Sequence, residues 1–209
     1  MTKRINVGIV NYGMGNIRSV ENSLAHLGCK SKVISNPDKI FSFSHLILPG
    51  VGSFKKAIKN LKINGFYEAL QECANDKGIN FLGICLGMQL MCESSTEGGL
   101  TTGLSLIKNK VKPFSKKETG NQKIPHVGFN QVKIENESLL FKNIDDNSDF
   151  YFDHSFKVMH DKNLKNFNVS EYGVKFIATF EKNNIFGTQF HPEKSQSNGL
   201  TLIYNFLNN

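Results

Sequence analysis

The sequence predicts an α/β protein built on a mixed, mainly parallel β-sheet flanked by helices. Three observations point there. In the first half, short apolar runs alternate with segments whose apolar residues recur at helical spacing. That alternation is the pattern of βα units wound into a parallel sheet. Glycine-containing turns at 11–15, 49–52 and 83–87 each follow the end of such a run, so all three are expected on the rim beyond the carboxyl ends of the strands. In the second half the apolar runs lack helical segments between them, which predicts hairpins extending the sheet.

Taken in order, residues 5–10 read as the first strand. Residues 16–27 read as a helix, with Ile17, Val20, Leu24 and Leu27 on one face. A short strand follows at 31–34, and another at His45-Leu46-Ile47-Leu48 is stopped by Pro49-Gly50. Helices at 53–61 and 65–76 precede the run 79–82, which delivers Cys85 into a further helix. Apolar and aromatic runs at 104–107, 131–134, 150–152, 156–158, 174–180 and 184–190 predict short strands. The polar, lysine-rich stretch 115–123 reads as an exposed loop. Leu200, Ile203, Phe206 and Leu207 place a closing helix near 196–207.

The chain of 209 residues fits one domain, spanning 1–209, with no linker and no internal repeat. No apolar stretch approaches the roughly 20 residues needed to span a bilayer. Met1-Thr2-Lys3-Arg4 passes at once into the first apolar run without the pattern of a secretory leader, so a cytoplasmic protein that engages no membrane is expected. Cysteines at 29, 73, 85 and 92 form no Cys-x-x-Cys pair and no Cys/His metal spacing, so reduced thiols and no metal are expected. Cys92, seven residues after Cys85, reads as core. The net charge of +7 comes from lysines scattered along the chain. Without a basic helix face or a nucleic-acid-binding motif, no nucleic-acid partner is expected.

Chemistry concentrates in Gly83-Ile84-Cys85-Leu86-Gly87-Met88-Gln89. A strand, a glycine-flanked turn and a helix would hold a cysteine at the apex, where a tight turn needs small neighbours. A helix start behind the sulfur favours thiolate over thiol. A cysteine nucleophile also needs a base and a group to orient that base. Of six histidines, His191 stands out in Gln189-Phe190-His191-Pro192-Glu193, at the end of a predicted strand. On an extended segment Glu193 would face the same side as His191 and could hold its tautomer. Read singly, each motif also fits a structural cysteine or a surface His-Pro-Glu turn. Together they point to a Cys-His-Glu arrangement.

These motifs resemble the class I glutamine amidotransferases, whose flavodoxin-like fold carries a Cys-His-Glu triad that hydrolyses the side-chain amide of glutamine. Asn11-Tyr12-Gly13-Met14-Gly15-Asn16, Leu48-Pro49-Gly50-Val51-Gly52-Ser53-Phe54, Pro125-His126-Val127-Gly128-Phe129-Asn130 and Phe150-Tyr151-Phe152-Asp153-His154-Ser155 narrow the resemblance. Within the family they are similar to glutaminase subunits of imidazole glycerol-phosphate synthases, in order and over essentially the whole chain.

The resemblance implies Cys85 as nucleophile, His191 as general base and acid, and Glu193 as its orienting carboxylate. It implies backbone N–H groups of Val51 and Leu86 as oxyanion donors, and glycines about Val51 that let its peptide reorient. Gly50, Gly52, Gln89, His154 and Ser155 would contact L-glutamine. Asn16, Phe129, Tyr151 and Lys194 would lie at the partner boundary and ammonia exit, and Asn16 would also lie near the glutamine pocket. Its side chain is also placed to cap the following helix. The implied partner is a (β/α)8-barrel cyclase subunit that forms a heterodimer and receives the ammonia, with no metal or organic cofactor in this chain. Phe129 stands where the family usually has tryptophan, and Asp153 where it generally has an apolar residue. Two alternatives stay open: a paralogous glutaminase supplying ammonia to amidinate a surface-polysaccharide or flagellin sugar, and a noncatalytic binding subunit.

Overall fold

The computed structural model describes residues 5–76 and 78–209; residues 1–4, on which the leader reading rests, lie outside them. Four strands form the parallel heart of the sheet: β1 (Val7–Val10), β2 (Ser31–Ile34), β3 (His45–Gly50) and β4 (Asn80–Cys85). Helices α1 (Ile17–His26), α2 (Phe54–Ile63) and α3 (Phe66–Asn75) alternate with them, and α4 (Leu86–Leu90) follows β4 directly. Both β1 and β3 are buried along their whole length, as expected of parallel strands covered on both faces.

The second half adds β5 (Ser94–Ser95), β6 (Thr101–Thr102), β7 (Lys110–Pro113), α5 (Lys116–Thr119), β8 (His126–Val132), β9 (Ser148–His154) and β10 (Phe156–Val158). It ends with β11 (Asn166–Tyr172), β12 (Val174–Lys182), β13 (Ile185–Thr188) and α6 (Gln196–Leu207). The main sheet runs β2-β1-β3-β4-β13-β12-β10-β7-β5-β6, with β11 also pairing β12. Pairing is parallel from β2 through β13 and antiparallel from β13 to β12, β10 and β7.

Two apolar layers cover the sheet. Leu46 and Leu48 of β3 join one layer, with Phe54 and Leu61 of α2 and Phe66 and Leu70 of α3. Ile47, pointing the other way, joins Val20 and Leu24 of α1 and Leu202, Ile203 and Phe206 of α6. The alternation along β3 is thus matched by the i, i+3, i+4 stripes of the helices on either side.

Four sequence expectations are corrected. Residues 104–107 form no strand: the N–H groups of Leu104 and Leu106 bond instead to the carbonyls of Leu90 and Met91, at 2.7 and 2.9 Å. Leu104 and Ile107 are nevertheless buried, so their apolarity reports core and not strand. The 115–123 stretch contains α5, started by a capping box in which Ser115 and Glu118 satisfy each other's backbone N–H. Strand β11 was hidden in an asparagine-containing sequence that weakens the strand signal. Finally, β8 and β9 do not extend the main sheet but form a separate two-stranded sheet, registered from His126↔His154 to Val132↔Ser148. Among the described residues, no helix is long and apolar enough to cross a membrane.

Candidate active site

Register brings the site together. Gly50 at the end of β3 pairs with Cys85 at the end of β4, so the loop after β3 lies beside the cysteine. On the other side Ile84 pairs with Thr188 of β13, which places the chain running into His191 against the same strand end.

Cys85 occupies φ 53°, ψ −109° between strand and helix. A side-chain-bearing residue held there stores roughly 1–3 kcal/mol of backbone strain. The elbow closes tightly: a side chain at Gly87 would run into the Leu48 carbonyl of β3. α4 is therefore seated on the sheet only because position 87 lacks a Cβ. Cys92, beyond this short helix, is fully buried core, and burial drives its thiol pKa upward.

His191 is buried and its Nδ1 lies 2.8 Å from Glu193 Oε1. The segment is not extended as predicted. Pro192–Lys194 form a 3₁₀ turn, and that turn swings the carboxylate onto the ring. The His191 N–H bonds the Tyr151 carbonyl at 2.8 Å, while Ser195 Oγ donates to the His191 carbonyl at 2.6 Å. Ser195 Oγ also accepts from Tyr151 N–H at 2.9 Å, locking the turn to β9. Burial by itself would lower the His191 pKa. The neighbouring Cys85 sulfur, by charge and by hydrogen bond, and then Glu193 outweigh it and push the value up to about 10. The arrangement is that of an imidazolium held between a sulfur and a carboxylate.

The pocket over Cys85 has a volume of about 450 Å³. Among the predicted residues Val51, Gly52, Cys85, Leu86, Gln89, His154, Ser155 and His191 border it. Gly50, Asn16 and Glu193 do not; Glu193 meets the His191 ring instead. Asn16 stands at the N-cap of α1, but its side chain makes no capping hydrogen bond, so the expected cap is absent. Phe129, Tyr151 and Lys194 gather outside the pocket: the Phe129 and Tyr151 rings meet edge to face at 5.6 Å, and Lys194 Nζ lies 5.3 Å above the Tyr151 ring.

Two residues at the site, Glu97 and Gln189, were not singled out from the sequence. Glu97 borders the pocket, and its carboxylate accepts from Phe54 N–H, at the first residue of α2, at 2.8 Å. Gln189, two residues before His191, accepts from Gln89 Nε2 at 3.0 Å and directs its own Nε2 toward Cys85 Sγ at 3.8 Å. The i, i+2 relation to His191 was a usable signal for Gln189; Glu97 lies in a loop with none. Asp153 is exposed at the pocket, and its backbone carbonyl lies 3.8 Å from Cys85 Sγ.

A chain of neutral histidines supports one wall. Asn130 Nδ2 is 3.2 Å from His126 Nε2, His126 Nδ1 is 3.1 Å from His154 Nε2, and His154 Nδ1 is 2.7 Å from the Phe156 carbonyl. Since a carbonyl only accepts, His154 Nδ1 carries a proton and donates to it. Its Nε2 then accepts from His126 Nδ1–H, whose own Nε2 accepts from Asn130. Burial, the main cause, lowers His126 to about 4 and His154 to about 3, which suits one proton per ring. The Phe156 carbonyl also accepts from Gln89 Nε2 at 3.0 Å, so this chain fixes a pocket side chain.

A second, larger groove of about 1600 Å³ lies at the opposite ends of the strands, lined by residues such as Asn6, Phe41, Ser44, Ile79 and Tyr204. Neither Cys85 nor His191 borders it.

A family model described as glutamine amidotransferase class-I matches residues 8–209. Imidazole glycerol phosphate synthase subunit HisH 1 of Campylobacter jejuni (strain RM1221) is 44% identical over 201 residues, covering 96% of this chain and 98% of the relative. The HisH subunit of Caldanaerobacter subterraneus subsp. tengcongensis is 44% identical over 200 residues, with 96% of each chain covered. That of Methanosarcina acetivorans is 43% identical over 203 residues, covering 95% of this chain and 96% of its own. Among solved structures, PurLQS from Thermotoga maritima aligns with a TM-score of 0.75 at 18% identity, over 99% of both chains. A glutamine amidotransferase from Thermotoga maritima aligns at 0.63 and 16% identity, over 91% of this chain and 77% of the other. At such identities the two structures speak to the fold alone.

Proposed function

Because the chain belongs to the class-I glutamine amidotransferase family, we propose that it is the glutaminase subunit of an imidazole glycerol-phosphate synthase. It hydrolyses L-glutamine to glutamate and ammonia, and the ammonia serves imidazole glycerol phosphate formation in histidine biosynthesis. The observation that carries this reading is the meeting of Cys85 and His191 at one pocket, with Glu193 hydrogen-bonded to the His191 ring, in a chain whose HisH relatives are 40–44% identical over nearly its full length.

In this reading Cys85 Sγ attacks the glutamine amide carbon. The oxyanion that forms is held by the N–H groups of Leu86 and, once its peptide is turned inward, Val51. His191, kept protonated between Cys85 and Glu193, gives its proton to the departing ammonia. The resulting neutral ring activates the water that releases glutamate from the γ-glutamyl thioester. The buried Glu193 carboxylate holds Nδ1–H, which leaves Nε2 for the chemistry. Gln89 and the backbone at His154 and Ser155 line the wall suited to the amino-acid end of the substrate. Glu97 supplies a negative group for its α-ammonium.

Ammonia released in water is mostly protonated at neutral pH and lost as a nucleophile. The product therefore needs a second active site close by. We assign that site to a (β/α)8-barrel cyclase in a heterodimer, docked over the Phe129, Tyr151 and Lys194 surface. The gene is tested directly in a histidine auxotroph lacking its own glutaminase subunit, supplied with the matching cyclase. Growth without histidine is expected. Soluble expression without growth would overturn the histidine assignment and favour a sugar-amidinating acceptor.

A further inference from the structure

Tyr12 has no part in the chemistry above. It is 1% exposed, and its hydroxyl is a buried polar atom without a hydrogen-bond partner. The rest of the residue is firmly placed. Its carbonyl accepts from Asn60 Nδ2 at 3.2 Å and Asn64 Nδ2 at 3.4 Å. Its ring belongs to the apolar layer that includes Leu48, Phe54 and Leu86. An unpaired buried hydroxyl costs stability that phenylalanine in the same place would not.

The hydroxyl lies against the loop that carries Val51. A methyl group at Gly50 would sit 2.8 Å from Tyr12 Oη and 2.8 Å from Gly87 N, the second residue of α4. Val51 and Gly52 border the pocket, whereas Tyr12 and Gly50 do not, so the hydroxyl meets this loop from outside the pocket. Burial, and after it the nearby Cys85, raise the Tyr12 pKa.

The Gly50–Val51 peptide is planar and trans, so its C=O and N–H point in opposite directions. When Val51 N–H turns into the pocket toward the oxyanion, the Gly50 carbonyl turns away from it, toward the side where the Tyr12 hydroxyl waits. We propose that Tyr12 is a positioning residue for the glutaminase: its O–H donates to the Gly50 carbonyl in the turned peptide and holds Val51 N–H in the oxyanion site. The unpaired hydroxyl of the resting loop is then a bond reserved for the active one. This inference rests on the glutaminase reading above.

The test is Tyr12→Phe in the complex with its cyclase, the acceptor site occupied. The glutaminase kcat is expected to fall roughly fivefold, the worth of one neutral hydrogen bond in the transition state, with KM for glutamine unchanged. Ammonia-driven synthesis stays at the wild-type rate, and the melting temperature rises by about 2–4 °C as the unpaired hydroxyl is removed. An unchanged kcat would overturn the proposal. So would a lower melting temperature with glutamine-driven and ammonia-driven rates falling together, which is the signature of a packing role. A wild-type complex without glutaminase activity would instead overturn the functional reading beneath it.

Discussion

Glu193 illustrates how much of the site rests on a single carboxylate. Its Oε1 holds His191 Nδ1 at 2.8 Å, while Oε2 is buried without a partner, so the group sits there at a cost that only the imidazolium offsets. Glu193→Gln keeps the shape and removes the charge. The glutaminase kcat is expected to fall about 100-fold or more, with little change in KM, because the tautomer and charge of the base are lost while the pocket is intact. Steady-state kinetics of the complex check this, and a fall of less than about threefold would contradict the role. Cys85, His191 and Glu193 were legible in the sequence because each stands in a short motif with its own chemical logic. The 3₁₀ turn that brings Glu193 to the ring was not, since two residues' spacing fits an extended and a turned segment alike.

At the scale of elements, the antiparallel pair β8–β9 carries the histidine chain and gives the fold an acid limit. His126 and His154 stay neutral in the folded protein far below the ordinary histidine value of 6.5, to about 4 and about 3. Above pH 6.5 both are neutral folded or unfolded and contribute no pH dependence. Below it the unfolded chain takes up protons that the folded chain refuses, so stability falls by up to about 1.4 kcal/mol per pH unit for each ring. Melting temperatures should therefore drop steadily between pH 6.5 and 4. In His126→Phe the slope over that range should become shallower. Its neutral-pH melting temperature should also be lower, because His154 Nε2 loses its donor. An unchanged acid slope in the variant would contradict the chain. The pair was only half visible beforehand: the run at 150–152 located β9, the run at 131–134 caught only the last two residues of β8, and local pattern cannot say whether a hairpin joins a sheet or stands beside it. β11 escaped for a related reason, its buried Asn168 being satisfied by Thr179 of the neighbouring strand at 3.2 Å, a tertiary fact.

For the whole molecule, the parallel order of β1, β3, β4 and β13 gathers the elbow, the Val51 loop and His191 at one rim. The shared rim of the elbow and the Val51 loop followed from alternation and strand-end glycines, whereas the parallel β13 that adds His191 did not. The family resemblance supplied the partner and acceptor, which no strand or helix pattern encodes. Phe129 is 51% exposed beside Tyr151, an aromatic surface outside the pocket. Phe129→Ala should weaken binding of the cyclase about tenfold or more in a titration while leaving the melting temperature of the isolated chain within about 1 °C. Equal affinity would move the interface elsewhere. The central claim is that this chain makes ammonia at Cys85 for a second active site. It is tested most directly by imidazole glycerol phosphate synthesis in the complex, driven in parallel by glutamine and by ammonium salts, for wild type and Cys85→Ala. The variant should lose glutamine-driven synthesis entirely and keep the ammonia-driven rate. Persisting glutamine-driven synthesis in Cys85→Ala would contradict the account.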